Sequence, residues 1–459
     1  MPTTLRNAIP RALLLMTCSV GVNVASANDL KQFYETALTR DTTLQVAQFQ
    51  RDASVEVRPQ ALAALLPQVT ANASATRERE GFDASQAQTG QGADCALSTD
   101  SVSQRCYGTV RGFGLNLSQT LWSFQAFNQL KEANFQAAAA EATFRGAQEN
   151  LVLRVAQAYF GILSAADQLA TNRNERAAFN TLLSQARIRQ QTGVGNRSDV
   201  AQAQAFYDAT EQSVIDAQNA LDDANLALAE IVGAHAERIA PLRADIPLTS
   251  PEPDSAEEWV TSARQDNFDV RAAALKVEAA SRDISAQRGR GLPSLQLTGA
   301  SSKLLQNEAF GGNQRLDTIG VSIVWPLYQG GAVASAVRQS RALYRQAESE
   351  FDAAQRDAEK QTRAAFRNVV SGVSRIAAAR RAVSSGREAG EASRRNVEFG
   401  TGTEFDLLNA QVNYFSAIRA YDQARYDYLT NVLTLKQQAG RLSELDLDAI
   451  DDLLVESNS

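Results

Sequence analysis

The sequence predicts a mainly α-helical chain that also lends strands to a membrane β-barrel, built as a duplicated helix–strand–strand–helix unit. Three observations lead there. One is a long-range internal repeat, and another is a set of period-two runs at matching places in both halves. The last is a pair of proline-free stretches long enough for rods of helix.

The repeat comes first because it organises everything else. Gly193, Gly195, Asp199, Ala203, Gln204, Tyr207, Ala217, Leu226 and Gly233 recur as Gly400, Gly402, Asp406, Ala410, Gln411, Tyr414, Ala424, Leu433 and Gly440, all at one offset of 207. Helix-rich composition could supply the alanines, but not the glycines, the aspartate and the tyrosine together. Nearer the front of each half the offset is 226, carrying Leu66-Pro67 onto Leu292-Pro293. It then falls to 206, carrying Thr120-Leu121-Trp122 onto Pro326-Leu327-Tyr328, so the first half holds 20 extra residues between its strands. They lie in the Gly-, Gln- and Ser-rich stretch from Gly81 to Arg105. A period this long excludes a stacked solenoid.

The strands follow from alternation. Val69, Ala71, Ala73 and Ala75 interleave with Gln68, Thr70, Asn72, Ser74 and Thr76, and Phe113, Leu115 and Leu117 with Gly112, Gly114, Asn116 and Ser118. In the second half Leu295 and Leu297 alternate with Gln296 and Thr298, and Ile319, Val321, Ile323 and Trp325 with Thr318, Gly320 and Ser322. Ten-residue runs with one apolar and one small or polar face suit a transmembrane barrel around a wet lumen, although a soluble sheet edge uses the same alternation.

The helices follow from composition and period. No proline lies between Pro67 and Pro241 or after Pro326. From Ala126 to Gln191, Ala, Gln, Glu, Arg and Leu dominate, all strong helix formers. Phe144, Leu151, Ala158 and Ala165, interleaved with Gln148, Val155, Ile162 and Leu169, form a heptad pattern that packs as a coiled coil. The matching rod runs from Gly331 to Phe399. Four strands cannot close a barrel, and open edges are not tolerated in lipid, so closure requires several copies.

The remaining features bound the compartment and exclude chemistry. Arg6 and Arg11, the apolar run Ala12 to Val24, and Ala25-Ser26-Ala27 read as a signal peptide over residues 1–27, with a mature chain from about Asn28. That run is short of the roughly 20 residues a spanning helix needs. A formal charge of −7 over 459 residues argues against nucleic-acid binding. Beyond the leader, Cys95 and Cys106 are the only cysteines, and a local disulfide is the natural reading in an oxidising compartment, with two free thiols as the alternative. The lone His235, the lack of a Cys/His cluster and P-loop, and Gly289-Arg290-Gly291 preceding a strand rather than following one leave no enzyme, cofactor or metal site to expect.

Together the duplicated units, the Leu-Pro pairs at Pro67 and Pro293 and the paired Gly-x-Gly…Asp turns resemble the TolC family of outer-membrane efflux and secretion channels, over nearly the whole chain from Asp29 to Gly440. The resemblance implies a homotrimer whose 12-stranded outer-membrane barrel stands on a long periplasmic α-helical barrel. It implies a first repeat over 28–240, with strands at about 67–80 and 107–122 around an extracellular loop at 81–106. A linker at 241–255 leads to a second repeat over 256–440, with strands at about 293–305 and 316–328, and then a tail at 441–459. A periplasmic adaptor, or membrane fusion protein, and an inner-membrane transporter would be the partners, besides outer-membrane lipid. Asp199 and Asp406 match the family's periplasmic gate positions, where threefold symmetry would make an acidic ring. Asn409 stands where well-known members carry a second acid, and Gly402 where they carry arginine. Gly193, Val194, Gly400 and Thr401 match the turns the adaptor touches. N-capping of the next helix is an equally good account of both aspartates. A non-channel coiled-coil stalk, structural or adhesive, is the rival reading, and small-molecule efflux and type I protein secretion both stay open.

Overall fold

The computed structural model describes residues 30–83, 103–234, 239–305 and 312–455. Three short helices, α1 (Leu30–Arg40), α2 (Thr42–Val55) and α3 (Val57–Ala63), lead into the strands β1 (Gln68–Asp83) and β2 (Ser103–Ser123). Then come α4 (Phe124–Gln191) and α5 (Arg197–Val232). The second half repeats the order with α6 (Ala256–Asp266), α7 (Phe268–Gly289), β3 (Ser294–Leu305), β4 (Gln314–Val324), α8 (Ala332–Glu398), α9 (Glu404–Gln438) and the terminal α10 (Leu445–Asp451).

Helices α4 and α8, of 68 and 67 residues, are each about 100 Å long. Ser123 starts α4 by accepting the Ala126 N–H at 3.2 Å, which satisfies one of the free donors of the first turn. No proline interrupts either rod, and none of the described helices is long and apolar enough to cross a membrane. The heptad residues of α4 do turn inward: Leu151, Val155, Ile162 and Leu169 are buried.

The main core is a belt halfway along the rods. Phe33 from α1, Tyr159 and Phe160 from α4, and Tyr426 from α9 form a chain of ring contacts with centroids 6.0–6.2 Å apart. The Tyr159 hydroxyl donates to the Ala240 carbonyl at 2.8 Å, so the connector between the halves is tied to α4. That connector also pairs with the chain's end, Arg243 N–H donating to the Leu453 carbonyl and Val455 N–H to that of Pro241. Asp451 in α10 accepts the N–H groups of Leu30 and Lys31, closing the belt between its two terminal helices. A paired guanidinium, Arg154, grips the buried Asp41 carboxylate at 2.8 and 3.1 Å.

Strand ends differ from the expectation at two places: β1 runs on to Asp83 and β2 starts at Ser103, pairing inside the stretch expected as a loop at 81–106, and β4 ends early. The run expected to reach residue 328 stops pairing at Val324, because its partner β3 begins at Ser294, which faces Val324. Trp325, Leu327 and Tyr328 therefore lie outside the strand, 60%, 81% and 88% exposed.

Candidate channel wall and periplasmic tip

The four strands form one antiparallel sheet in the order β1-β2-β3-β4. Registers place Val69, Leu117, Gly299 and Ile319 in one row across it, and Leu297 with Val321 and Leu295 with Ile323 in rows on the same face. The opposite face carries Asn72, Gly114, Ser302 and Leu316 in one row and Thr70, Asn116, Ala300 and Thr318 in another. Asn116 donates to Asn72 at 3.0 Å along that polar face, and a Cβ on Gly114 would meet the Asn72 amide oxygen at 2.7 Å. Every position of β4 is exposed, including Ile319 at 79%. A sheet with one apolar face, one polar face, no cover on either and two unpaired edge strands is not a stable end state in one chain. It is the wall of a larger closed structure.

At the other end of the rods are two short reversals, between α4 and α5 and between α8 and α9. Gly193 (φ 78°) and Gly400 (φ 71°) take the left-handed conformation that ends each descending helix. Two residues on, a Cβ at Gly195 would lie 2.9 Å from the Arg189 Cβ, and one at Gly402 would lie 2.8 Å from that of Asn396. A side chain at either glycine would therefore require the turn to shift. Asp199 accepts the Asn196 N–H at 3.1 Å, and Asp406 accepts the Thr403 hydroxyl at 2.6 Å while its own N–H donates back to Thr403 at 3.1 Å. Both aspartates thus sit in capping boxes. Asn409 donates to its own helix at the Phe405 carbonyl, 2.9 Å away. The Thr401 hydroxyl donates to the Asn396 carbonyl, and Val194 and Phe399 project from the turns, 81% and 79% exposed.

One tip contact escaped the sequence reading. Arg189, near the end of α4, donates through one nitrogen to both carboxylate oxygens of Glu404, at 2.6 and 2.5 Å. Glu404 opens α9 and is nearly buried. Burial pushes its carboxyl above the usual range; Arg189 opposes that shift and neighbouring Asp199 adds to it. A signal for it existed in the repeat: at the offset of 207 Glu404 corresponds to Arg197, so the charge reverses between otherwise matching turns. Beneath this pair Phe179, Leu182, Leu183, Ala186, Ala203, Leu407 and Leu408 form a second, small core. The pairing of Cys95 with Cys106 and the surroundings of His235 fall outside the described residues.

The family model described as outer membrane efflux protein matches residues 33–234 and 259–441, one segment over each half. The chain belongs to this TolC family of outer-membrane efflux proteins. It is 31% identical over 428 residues to the outer membrane protein TolC of Vibrio cholerae, covering 92% of each chain. It is also 28% identical to the alkaline protease secretion protein AprF of Pseudomonas aeruginosa, covering 93% of this chain and 87% of that one. Among solved structures, the outer membrane protein VceC of Vibrio cholerae superposes with a TM-score of 0.76 at 20% identity, covering 90% of this chain and 96% of that one. The family is one of non-enzymatic channels, and the chain is an outer-membrane efflux or secretion channel that extends into the periplasm.

Proposed function

We propose that this outer-membrane channel works as a homotrimer, a passive exit duct that receives substrate from an inner-membrane transporter through a periplasmic adaptor. The observation that carries this reading is the uncovered sheet. Three copies bring twelve strands edge to edge, which satisfies the open backbone groups of β1 and β4 and turns the Val69–Ile319 face to lipid. The Asn72–Asn116 face then lines water. Below the membrane the three pairs of rods enclose the continuing passage.

Flow is controlled at the tip. The Arg189–Glu404 pair ties the first reversal to the second within each chain, and the repeated Asp199 and Asp406 set an acidic ring where three chains converge. Exposed Val194 and Phe399, with Gly193, Gly400 and Thr401 around them, offer the adaptor two apolar contact points per chain. Both likenesses, to an efflux-family channel and to a protease secretion protein, fit the same duct, since the transporter selects the cargo.

Native mass of the mature protein, extracted from outer membranes in mild detergent, tests the assembly. A stable trimer with measurable conductance in planar bilayers is expected. A monomer confined to the soluble periplasm would leave the strands unclosed and favour the coiled-coil stalk.

A further inference from the structure

The apolar face of the sheet changes character along its height. Nearest the helices its rows hold Leu295 with Ile323 and Leu297 with Val321, followed by the row of Val69, Leu117, Gly299 and Ile319. Two rows farther out Lys303 stands directly opposite Arg315, next to Phe113, and Arg111 and Arg77 follow in the next two rows. All four cations share the parity of the apolar residues and so share their face. On the other face, the rows at that height contain Ser74, Gly112, Leu304 and Gln314, then Thr76 and Val110, without a charge.

These cations are under-compensated. Asp317 accepts from Arg315 Nε at 2.9 Å and from the Ser301 hydroxyl at 2.6 Å. Among the described residues no carboxylate pairs with Arg77, Arg111 or Lys303. Lys303 and Arg315 repel each other across the strands, an arrangement that an anion between them relieves. Their depth is also informative. Arg315 lies ten residues from Trp325, about 33 Å of strand and about 25 Å of height at the usual barrel tilt. With Trp325 and Tyr328 at the inner interface, the cations stand at the outer one.

We propose that Arg315, Lys303, Arg111 and Arg77 form a cationic strip on the outer rim of the barrel that binds the phosphate groups of anionic lipid headgroups, whose acyl chains lie along Phe113, Leu117 and Ile319. The site rests on the sheet being the wall of a closed trimer. Arginine suits it because the guanidinium fork binds phosphate oxygens in pairs. Free inorganic phosphate would reach the same cations but gain nothing from the apolar rows beneath them.

The test is native mass spectrometry of the detergent-extracted trimer titrated with phosphatidic acid or phosphatidylcholine. The wild type is expected to retain phosphatidic acid in preference to phosphatidylcholine, and excess inorganic phosphate should not strip it. The R77Q/R111Q/K303Q variant, which keeps the Arg315–Asp317 pair, should bind phosphatidic acid roughly a hundredfold more weakly, at about fivefold per surface cation. Lys303→Gln alone should show about one fivefold step and serves if the triple variant fails to assemble. Equal retention of the two lipids, an unchanged triple variant, or displacement by inorganic phosphate would each overturn the lipid site. The same spectra report whether the wild type is a trimer, so a failure of the barrel reading is seen separately.

Discussion

The belt and the tip are held together in different ways. At the belt, both halves, the connector and both ends of the described chain converge on Tyr159, Phe160, Tyr426 and Trp259, with hydrogen bonds tying the connector to α4 and to the C-terminal segment and α1 to α10. At the tip seven buried residues suffice, and none of them comes from α8. Along α8 itself the buried residues reach Ile376 and then cease, apart from Gly390. Within one chain the lower part of that rod packs against α9, and its remaining faces are left for neighbouring copies in the trimer. The difference teaches what holds each region within one chain: broad apolar burial anchors the belt, while a small core, one ion pair and two capping boxes register the tip.

The largest expected effect breaks the belt. Tyr159→Ala removes a fully buried ring and leaves the Ala240 carbonyl without its donor, costing about 3–5 kcal/mol. Thermal unfolding should show the loss, and the conductance of surviving trimers should be unchanged. A variant as stable as wild type would mean the belt is not the anchor.

Next comes the tip. Arg189→Met strands the Glu404 carboxylate in a nearly buried site, a local cost of about 3 kcal/mol. Single-channel recording should show higher open probability with little change in melting. Glu404→Gln should act more weakly, because Arg189 is partly exposed and can turn to water. The reverse order of effects would argue against a clasp. The pair sets geometry more than it adds stability, since burial already disfavours the ionised Glu404.

Smaller still is the loss of a cap. Asp199→Ala and Asp406→Ala each remove a capping box worth about 1 kcal/mol. If the two aspartates also form a ring, Asp406→Ala raises conductance or alters cation preference in planar bilayers. An unchanged channel would leave capping as their whole role.

The smallest effect sharpens the comparison from the side of the belt, at the seam of α4 and α7. Burial, reinforced by Asp269, pushes the Glu149 carboxyl up to about 8, and burial with Asp283 pushes Glu132 up to about 7. The folded state therefore holds protons that the unfolded chain has released. Stability should fall as pH rises from about 4.5 to about 8 and level off above that. Both groups are partly solvated, so the expected change is small, ~2 °C in Tm. Glu149→Gln should flatten the upper part of the curve, and an unaltered pH profile would remove the seam from the account.

Much of this architecture was legible beforehand. The rod expected from Ala126 to Gln191 is observed as Phe124–Gln191, because helix formers without a breaker leave the chain little alternative. The period-two runs named the strands and their faces, since alternation is a local property. Where β4 ends was not legible, because pairing with Ser294 decides it, and that is a partner's property. The Arg189–Glu404 pair was hidden for the same reason: 215 residues separate its members.

The sequence by itself determined the duplication, the rods, the amphipathic strands and the glycine reversals, all of which rest on contacts within a turn or between adjacent residues. Tertiary structure alone decided how much of each rod is buried within its own chain, which glutamate is buried, and which guanidinium meets it. Those depend on what two distant segments exclude from water together, and no local pattern records that.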